Sequence, residues 1–183
     1  GQYIRYNGLY KKVRMPDVGE GIIYQKDEFM KRQIRGVLGF GWSNQIYFTP
    51  SVWTKIYKSC LLQDAVKDMQ YSLYFGEDMY LNICAFFNKN AHSFSIHKEP
   101  YYVWSSGVGF SASRGSSLVL LQDFQYITDI SVKKIIENNC GEALLIANYW
   151  DKLNVYRWTI YSFLYDKLDD AKIVESIEMI EQY

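Results

Sequence analysis

The chain has 183 residues with 20 basic and 20 acidic side chains, so its formal net charge is zero. This balance argues against general nucleic-acid binding, which needs a net basic face to neutralise phosphates. An apolar fraction of 49% and an aromatic fraction of 17% exclude a disordered chain. No apolar run approaches the roughly 20 residues that cross a bilayer, so the sequence predicts no transmembrane segment.

The cysteines indicate the redox compartment, and the aromatic residues indicate the kinds of surface that suit this chain. Cys60, Cys84 and Cys140 are far apart and odd in number, which predicts free thiols in a reducing compartment. The 17 Tyr and 5 Trp side chains suit carbohydrate clefts and protein interfaces, because each combines an apolar body with a polar group. An aromatic-rich core is the commoner explanation for most of them.

The first part of the chain predicts short elements separated by loops. Residues 1–40 lack an opening pattern of buried strand, turn and helix. We instead expect a loop-rich connector that includes residues 11–14, Gly19, Gly21 and residues 36–41. Asp27 and Glu28 supply first-turn acids for a helix. Pro50 suits the first turn of a second helix. The expected elements are an extended segment at 18–24, a helix at 26–35, an extended stretch at 42–48, a helix that begins within 51–59 and a connector at 61–74.

A glycine followed by two carboxylates opens the next predicted helix, at about residues 78–90. Gly76 can turn the backbone, and Glu77 and Asp78 then lie in a first helical turn, where the macrodipole favours acids. Apolar residues at helical spacing follow, and we expect them to face a core. They are Leu81, Cys84, Ala85 and Phe87. The carboxylates either only favour the helix start or place a general base in a cleft.

Strands and then helices complete the pattern. We expect strands at residues 93–96 and 101–104, followed by a Gly/Ser loop at 105–117. Thr128 and Ser131 offer cap chemistry, and Gly141 offers a helix stop. Helices are predicted at 123–139, 142–152, 154–168 and 170–181. The sequence therefore predicts a chain that is mixed in its first 110 residues and nearly all helical afterwards.

Three motifs in this order resemble the second half of bacterial family-2 glycosyltransferases of the GT-A fold. They are VWTKIYK at residues 52–58, GEDMYLN at 76–82 and YYVW at 101–104. Thr54 departs from the Asn that the family often has, and the loop after Trp104 lacks the usual Arg. The first half of the family is a βαβ unit ending in Asp-x-Asp, a motif absent from this sequence. We therefore expect the chain to be part of a longer protein.

The resemblance implies a fold and a function. The fold class is α/β (an α+β fragment), with a partial GT-A-like domain of short strands at residues 1–117 and a C-terminal helical extension at 118–183. The implied reaction transfers a sugar from a nucleotide-diphosphate sugar to a glycan or lipid-linked acceptor, with inversion and a carboxylate base. It would belong to cell-surface polysaccharide biosynthesis in a bacterial cytoplasm, including the inner face of the membrane. The alternatives are a non-catalytic protein-interaction module and a carbohydrate-binding domain.

The resemblance also assigns roles to residues. Asp78 is the first candidate for the base, and Glu77 either replaces it or orients the acceptor. Trp53, Lys55 and Tyr102 are acceptor- or substrate-binding candidates, as is Trp104. Packing in the core for Trp53 and solvation for Lys55 are the alternatives. Ser111 and Arg114 are candidates for a phosphate loop, against the alternative of a flexible surface loop.

The resemblance implies a divalent metal, Mn²⁺ or Mg²⁺, in the complete enzyme only. No metal site is expected within this chain, although His97 is a candidate ligand against the commoner alternative of a hydrogen-bonded surface histidine. We expect the chain alone to be an inactive fragment without the donor-binding half. We also expect it to self-associate through the face that the missing half would cover.

Overall fold

The computed structural model describes residues 2–6, 9–12, 22–38, 52, 55–70, 72–95, 97, 102–105 and 117–166, with a few helical residues between 171 and 178. The chain divides into two compact units, which are described separately. The first comprises Gly1–Tyr71 and Asp78–Ser111, and the second comprises Ser72–Glu77 and Ala112–Tyr183. The described part is mixed α/β and mostly helical, as the sequence predicts at that coarse level.

The first unit contains two small sheets. Strand β1 (Gln2–Tyr6) lies between β2 (Leu9–Lys12), to which it is antiparallel, and β5 (Tyr102–Ser105), to which it is parallel. Strand β3 (Ile23–Gln25) pairs with β4 (Ser93–Ser95) in antiparallel register, with Tyr24 opposite Phe94.

Three helices accompany these sheets: α1 (Lys26–Val37), α2 (Ser59–Asp68) and α3 (Glu77–Phe87). Stacked aromatic rings form the core between α1, α3 and the smaller sheet. Phe94 stacks on both Phe29 and Phe86, with ring centroids 4.5 Å apart in each pair. Lys26 joins the start of α1 to the turn after α3, because its Nζ donates to the Asn88 carbonyl at 2.9 Å and its backbone N–H to the His92 carbonyl at 2.9 Å.

The buried face of α3 agrees with the predicted one only in part, since Ala85 and Phe87 are buried as expected. Leu81 and Cys84 are only half-buried, whereas other side chains of the helix are fully enclosed. The buried set of α3 is Tyr80, Asn82, Ile83, Ala85, Phe86 and Phe87. The helix is apolar around most of its circumference, so its spacing pattern is a weak guide to which face lies inward.

Two long helices, α4 (Ser117–Glu137) and α5 (Glu142–Asp166), form the second unit and pack on each other. Thr128 and Ser131 lie inside α4 and do not cap it, contrary to the prediction. Their hydroxyls donate to the carbonyls of Phe124 and Ile127, four residues earlier, at 2.8 and 2.9 Å. These internal bonds satisfy hydroxyls that are buried.

The turn between α4 and α5 confirms the predicted helix stop. Asn139 and Gly141 both adopt positive φ, at 50° and 95°. The Cys140 N–H donates to the Ile135 carbonyl at 3.0 Å, which satisfies one of the carbonyls that a helix end leaves open.

Several other predicted boundaries are wrong. The helix expected within residues 51–59 begins only at Ser59, and α2 runs through the predicted connector at 61–74. The expected helices at 142–152 and 154–168 are one continuous α5. Strand β2 overlaps the loop-rich connector predicted at residues 11–14, and strand β1 was not predicted. Among the helices of the described residues, none is long and apolar enough to span a bilayer.

Candidate functional site

A turn at Val52 connects the VWTKIYK motif to α3 within the first unit. The Lys55 backbone N–H donates to the Val52 carbonyl at 3.0 Å. The Val52 backbone N–H in turn donates to the carboxylate of Asp78. The VWTKIYK and GEDMYLN motifs therefore meet in the structure. A backbone N–H of the first motif binds the carboxylate of Asp78, which lies in the first turn of α3.

Burial makes the Asp78 carboxyl group a weaker acid than usual. Desolvation raises its pKa above the ordinary value, because burial penalises the charged form. The hydrogen bond from Val52 and the charge of Lys55 favour the carboxylate and offset part of this effect. A carboxylate with a raised pKa is a stronger base than an ordinary one, which suits it to accept a proton.

The pKa of Lys55 is shifted in the opposite direction to that of Asp78. Desolvation lowers its pKa to about 7, and attraction to Asp78 opposes this shift without cancelling it. The ammonium is therefore partly deprotonated at neutral pH. Two neighbouring titratable groups with pKa values shifted toward each other are typical of functional sites.

A chain of hydrogen bonds fixes the same segment one helical turn further along. The Tyr57 phenol donates to Oδ1 of Asn82 at 2.5 Å, and Nδ2 of Asn82 donates to the Asp78 carbonyl at 2.7 Å. Asn82 is only 1% exposed, so both of these bonds satisfy polar atoms that water does not reach. Tyr57 and Asn82 are thus positioning residues to which the sequence assigned no role.

The segment immediately before α3 is anchored within the second unit. The backbone N–H groups of Tyr74 and Phe75 both donate to Oδ2 of Asp123, each at 2.8 Å. Gly76 follows with a φ of 76°, and a Cβ at this position would overlap Cδ1 of Ile127. Asp123 and Gly76 therefore fix the backbone that leads into the carboxylate pair, and Gly76 confirms the predicted turn.

The structure describes the other predicted site residues to different extents. Glu77 is exposed at the start of α3. Tyr102 and Trp104 belong to β5, of which the backbone alone is described. Trp53, Ser111 and Arg114 lie outside the described residues.

The described residues do not offer the donor set of a divalent-metal site. His97 is exposed and shares a 2.9 Å hydrogen bond between its Nε2 and the Ser95 hydroxyl. Nowhere in the described ranges do three or more His, Cys, Asp or Glu side chains cluster as a metal would require. No metal-dependent step is therefore assigned to these residues.

Comparisons with profiles of known protein families, with curated proteins and with solved structures find no match for this chain.

Proposed function

We propose that this chain carries the acceptor side of a family-2-like glycosyltransferase, with Asp78 as the base that activates an acceptor hydroxyl. One observation supports the proposal above the others. Two of the three motifs on which the resemblance depends, VWTKIYK and GEDMYLN, converge on one perturbed pair, Asp78 and Lys55. The combination of a backbone donor, a half-buried lysine and a carboxylate of raised pKa is typical of functional sites.

The proposed step is an inverting displacement. The acceptor oxygen forms a bond to the anomeric carbon as its O–H proton passes to the Asp78 carboxylate. The bond between that carbon and the nucleoside diphosphate breaks, and the diphosphate leaves with the electron pair. Asp78 suits the base because partial desolvation raises its pKa, while Lys55 and the Val52 N–H keep it ionised between turnovers.

Lys55 has a second role in this proposal. A lysine with a pKa of about 7 is charged for only part of the time at neutral pH. Proton uptake by Asp78 removes the neighbouring negative charge that raises the Lys55 pKa. The ammonium therefore becomes a stronger acid as the transfer proceeds and releases its proton to solvent. The neutral amine then takes the proton from the Asp78 carboxyl group, which restores the ion pair.

The test uses the longest natural polypeptide that contains these residues. It is supplied with a panel of nucleotide-diphosphate sugars, oligosaccharide acceptors and Mn²⁺ or Mg²⁺, and release of the nucleoside diphosphate is followed. Acceptor-dependent release is the expected result. Binding of oligosaccharides without release under any combination would instead identify a carbohydrate-binding domain and contradict the proposal.

A further inference from the structure

Helix α5 is apolar on two opposite faces, of which one is exposed. The face toward α4 includes Leu144 and Asn148, which are both buried. Tyr156 lies between the two faces, and its phenol donates to Oε1 of Gln125 on α4 at 3.0 Å. The opposite face carries four large side chains at helical spacing, called here the α5 stripe. Their exposed fractions are 51% for Ile146, 50% for Tyr149, 64% for Trp150 and 57% for Leu153.

The α5 stripe follows one side of the helix. The positions i, i+3, i+4 and i+7 lie within an arc of about 100° on an α-helix. Scattered exposed apolar residues are normal on a protein surface, but a contiguous aromatic stripe marks an interaction site. Trp and Tyr are also the residues enriched at the centres of protein interfaces, where they contribute most of the binding energy.

Opposite charges end the stripe. Glu142 lies one turn before Ile146, and Arg157 lies one turn after Leu153, on the same side of the helix, and both are exposed. The order along the helix is therefore acid, apolar, aromatic pair, apolar, base. The span from acid to base is about 22 Å at 1.5 Å per residue.

This order is complementary to itself when it is reversed. Consider two copies of α5 that lie antiparallel across a twofold axis between Tyr149 and Trp150. Ile146 then lies opposite Leu153 of the other copy, and the aromatic residues lie opposite each other. Glu142 lies opposite Arg157 at both ends of the stripe, because these two residues are equidistant from the axis. A parallel arrangement would place like charges opposite each other.

We propose that the α5 stripe is the interface of a homodimer in which two copies of this chain pair antiparallel along α5. Isologous twofold contacts are the commonest form of homo-oligomer and require such a self-complementary surface. The four apolar side chains supply on the order of 400–500 Å² per copy, against roughly 800 Å² per partner in a standard interface. The expected dimer is therefore weak, with a Kd of about 1–100 μM.

Sedimentation equilibrium of the full chain tests the proposal first. We expect a monomer–dimer equilibrium, and Trp150→Ser should raise the dimer Kd by at least about 30-fold, because the indole lies at the centre of the stripe. Ile136→Ser is the matched control, since Ile136 is exposed on α4 at 59% and lies outside the stripe. A chain that is monomeric up to millimolar concentration would overturn the proposal.

Charge exchange tests the antiparallel geometry. Glu142→Lys alone or Arg157→Glu alone places like charges together at both ends and should weaken the dimer about tenfold at low salt. A mixture of the two single variants restores opposite charges at both ends, so the heterodimer should form in preference to either homodimer. The combined variant E142K/R157E should dimerise like the wild type, and 0.5 M salt should remove these differences.

Two controls separate charge pairing from helix stability. Glu142 also favours the first turn of α5, so Glu28→Lys, in the first turn of α1, serves as the matched charge reversal outside the stripe. It should leave the dimer Kd unchanged. A dimer that responds neither to Trp150→Ser nor to the charge exchange has its interface elsewhere, which would also overturn the proposal.

Discussion

The phenol of Tyr57 donates a hydrogen bond to the side chain of Asn82, and this contact sets the register between residues 55–58 and α3. From Lys55 to Tyr57 the chain can advance at most about 7 Å, and from Asp78 to Asn82 a helix advances about 6 Å. The two spacings nearly match, so one segment reaches two successive turns of the helix. Lys55 lies near Asp78 for the same reason that Tyr57 contacts Asn82.

Removal of the Tyr57 hydroxyl should therefore cost stability. Tyr57→Phe leaves the Oδ1 atom of the buried Asn82 without this donor, and we expect the free energy of unfolding to fall by about 1–3 kcal/mol. Urea denaturation measures this change. Tyr74→Phe is the matched control, because Tyr74 is 53% exposed and loss of its hydroxyl should change stability by less than about 0.5 kcal/mol. Equal effects of the two variants would show that the Tyr57 bond does not fix the register.

The lowered pKa of Lys55 predicts a pH-dependent stability. Between about pH 7 and the ordinary lysine value of 10.5, the unfolded chain binds a proton that the folded chain has released. The free energy of unfolding should therefore rise with pH from about 7 upward, by on the order of 1 kcal/mol once partial solvent access is allowed for. The raised pKa of Asp78 affects stability at acid pH. Its contribution lowers the free energy of unfolding as the pH rises above 3.8.

Urea denaturation at pH values between 6.5 and 9.5 checks the contribution of Lys55. Lys55→Met should flatten the dependence, because the half-buried ammonium is removed. Lys67→Met, at an exposed position of α2, should leave the slope intact. Asp78→Asn should lower the Lys55 pKa further, since it removes the charge that opposes desolvation. An unchanged slope in Lys55→Met would mean that other groups produce it.

Gly76 and Gly141 form a matched pair for separating backbone strain from side-chain overlap. Both have positive φ, but a Cβ at Gly76 would overlap Ile127, whereas none of the described atoms lies within 4 Å of one at Gly141. Gly141→Ala should cost about 1–2 kcal/mol from the backbone alone. Gly76→Ala should cost about 1–3 kcal/mol more, because Ile127 is buried and cannot move freely.

A second substitution tests the origin of the additional cost. Ile127→Val removes Cδ1, the atom that the new Cβ would overlap. Gly76→Ala combined with Ile127→Val should be less destabilised than the sum of the two single variants, a coupling that thermal melts at matched pH reveal. Strict additivity would place the strain of Gly76→Ala in the backbone and not in the contact with Ile127.

The sequence predicted elements whose signals are local. The start of α3 follows from Gly76 and the adjacent acids, and the stop after α4 follows from Gly141. Helix α2 was missed because it buries only Leu61 and Ala65, which leaves a faint apolar period. Strands β1 and β2 pair in antiparallel register, and the Asn7-Gly8 dipeptide between them in the sequence is a local hairpin signal that the prediction overlooked. The parallel pairing of β1 with β5, almost 100 residues further along the chain, has no such local signal. Such pairings depend on tertiary contacts that no short window contains.

In the candidate site, too, the sequence identified single residues but not the contacts that bring them together. The motifs gave Asp78 and Lys55 as separate candidates, but their proximity depends on the register that Tyr57 and Asn82 establish. Asn82 carries a detectable signal, since it lies four residues after Asp78, where an amide reaches back to the carbonyl of the preceding turn. The pKa values could not be predicted because desolvation, the largest cause of both shifts, depends on what packs around the pair.

Substitution of Asp78 tests its role as the base in the longest natural polypeptide that contains this chain. Asp78→Asn keeps the size of the side chain and an oxygen for the Val52 N–H but removes the proton acceptor. Loss of a general base lowers the rate by about 10²–10⁴-fold. The decrease should fall on kcat for sugar transfer, with nucleotide-sugar affinity nearly unchanged, because the donor is held by other residues.

Glu77→Gln is the matched control, because Glu77 is the neighbouring carboxylate in the same helical turn and is exposed. If Asp78 is the base, Glu77→Gln should retain transfer within a few-fold of the wild type. Both acids favour the helix start by a few tenths to about 1 kcal/mol, and Asp78→Asn also removes the charge next to Lys55, so the stability of each variant is measured. Melting temperatures therefore separate a chemical defect from a folding defect. Wild-type turnover in both variants would remove the pair from the mechanism, since a base that is dispensable for the rate is not the base.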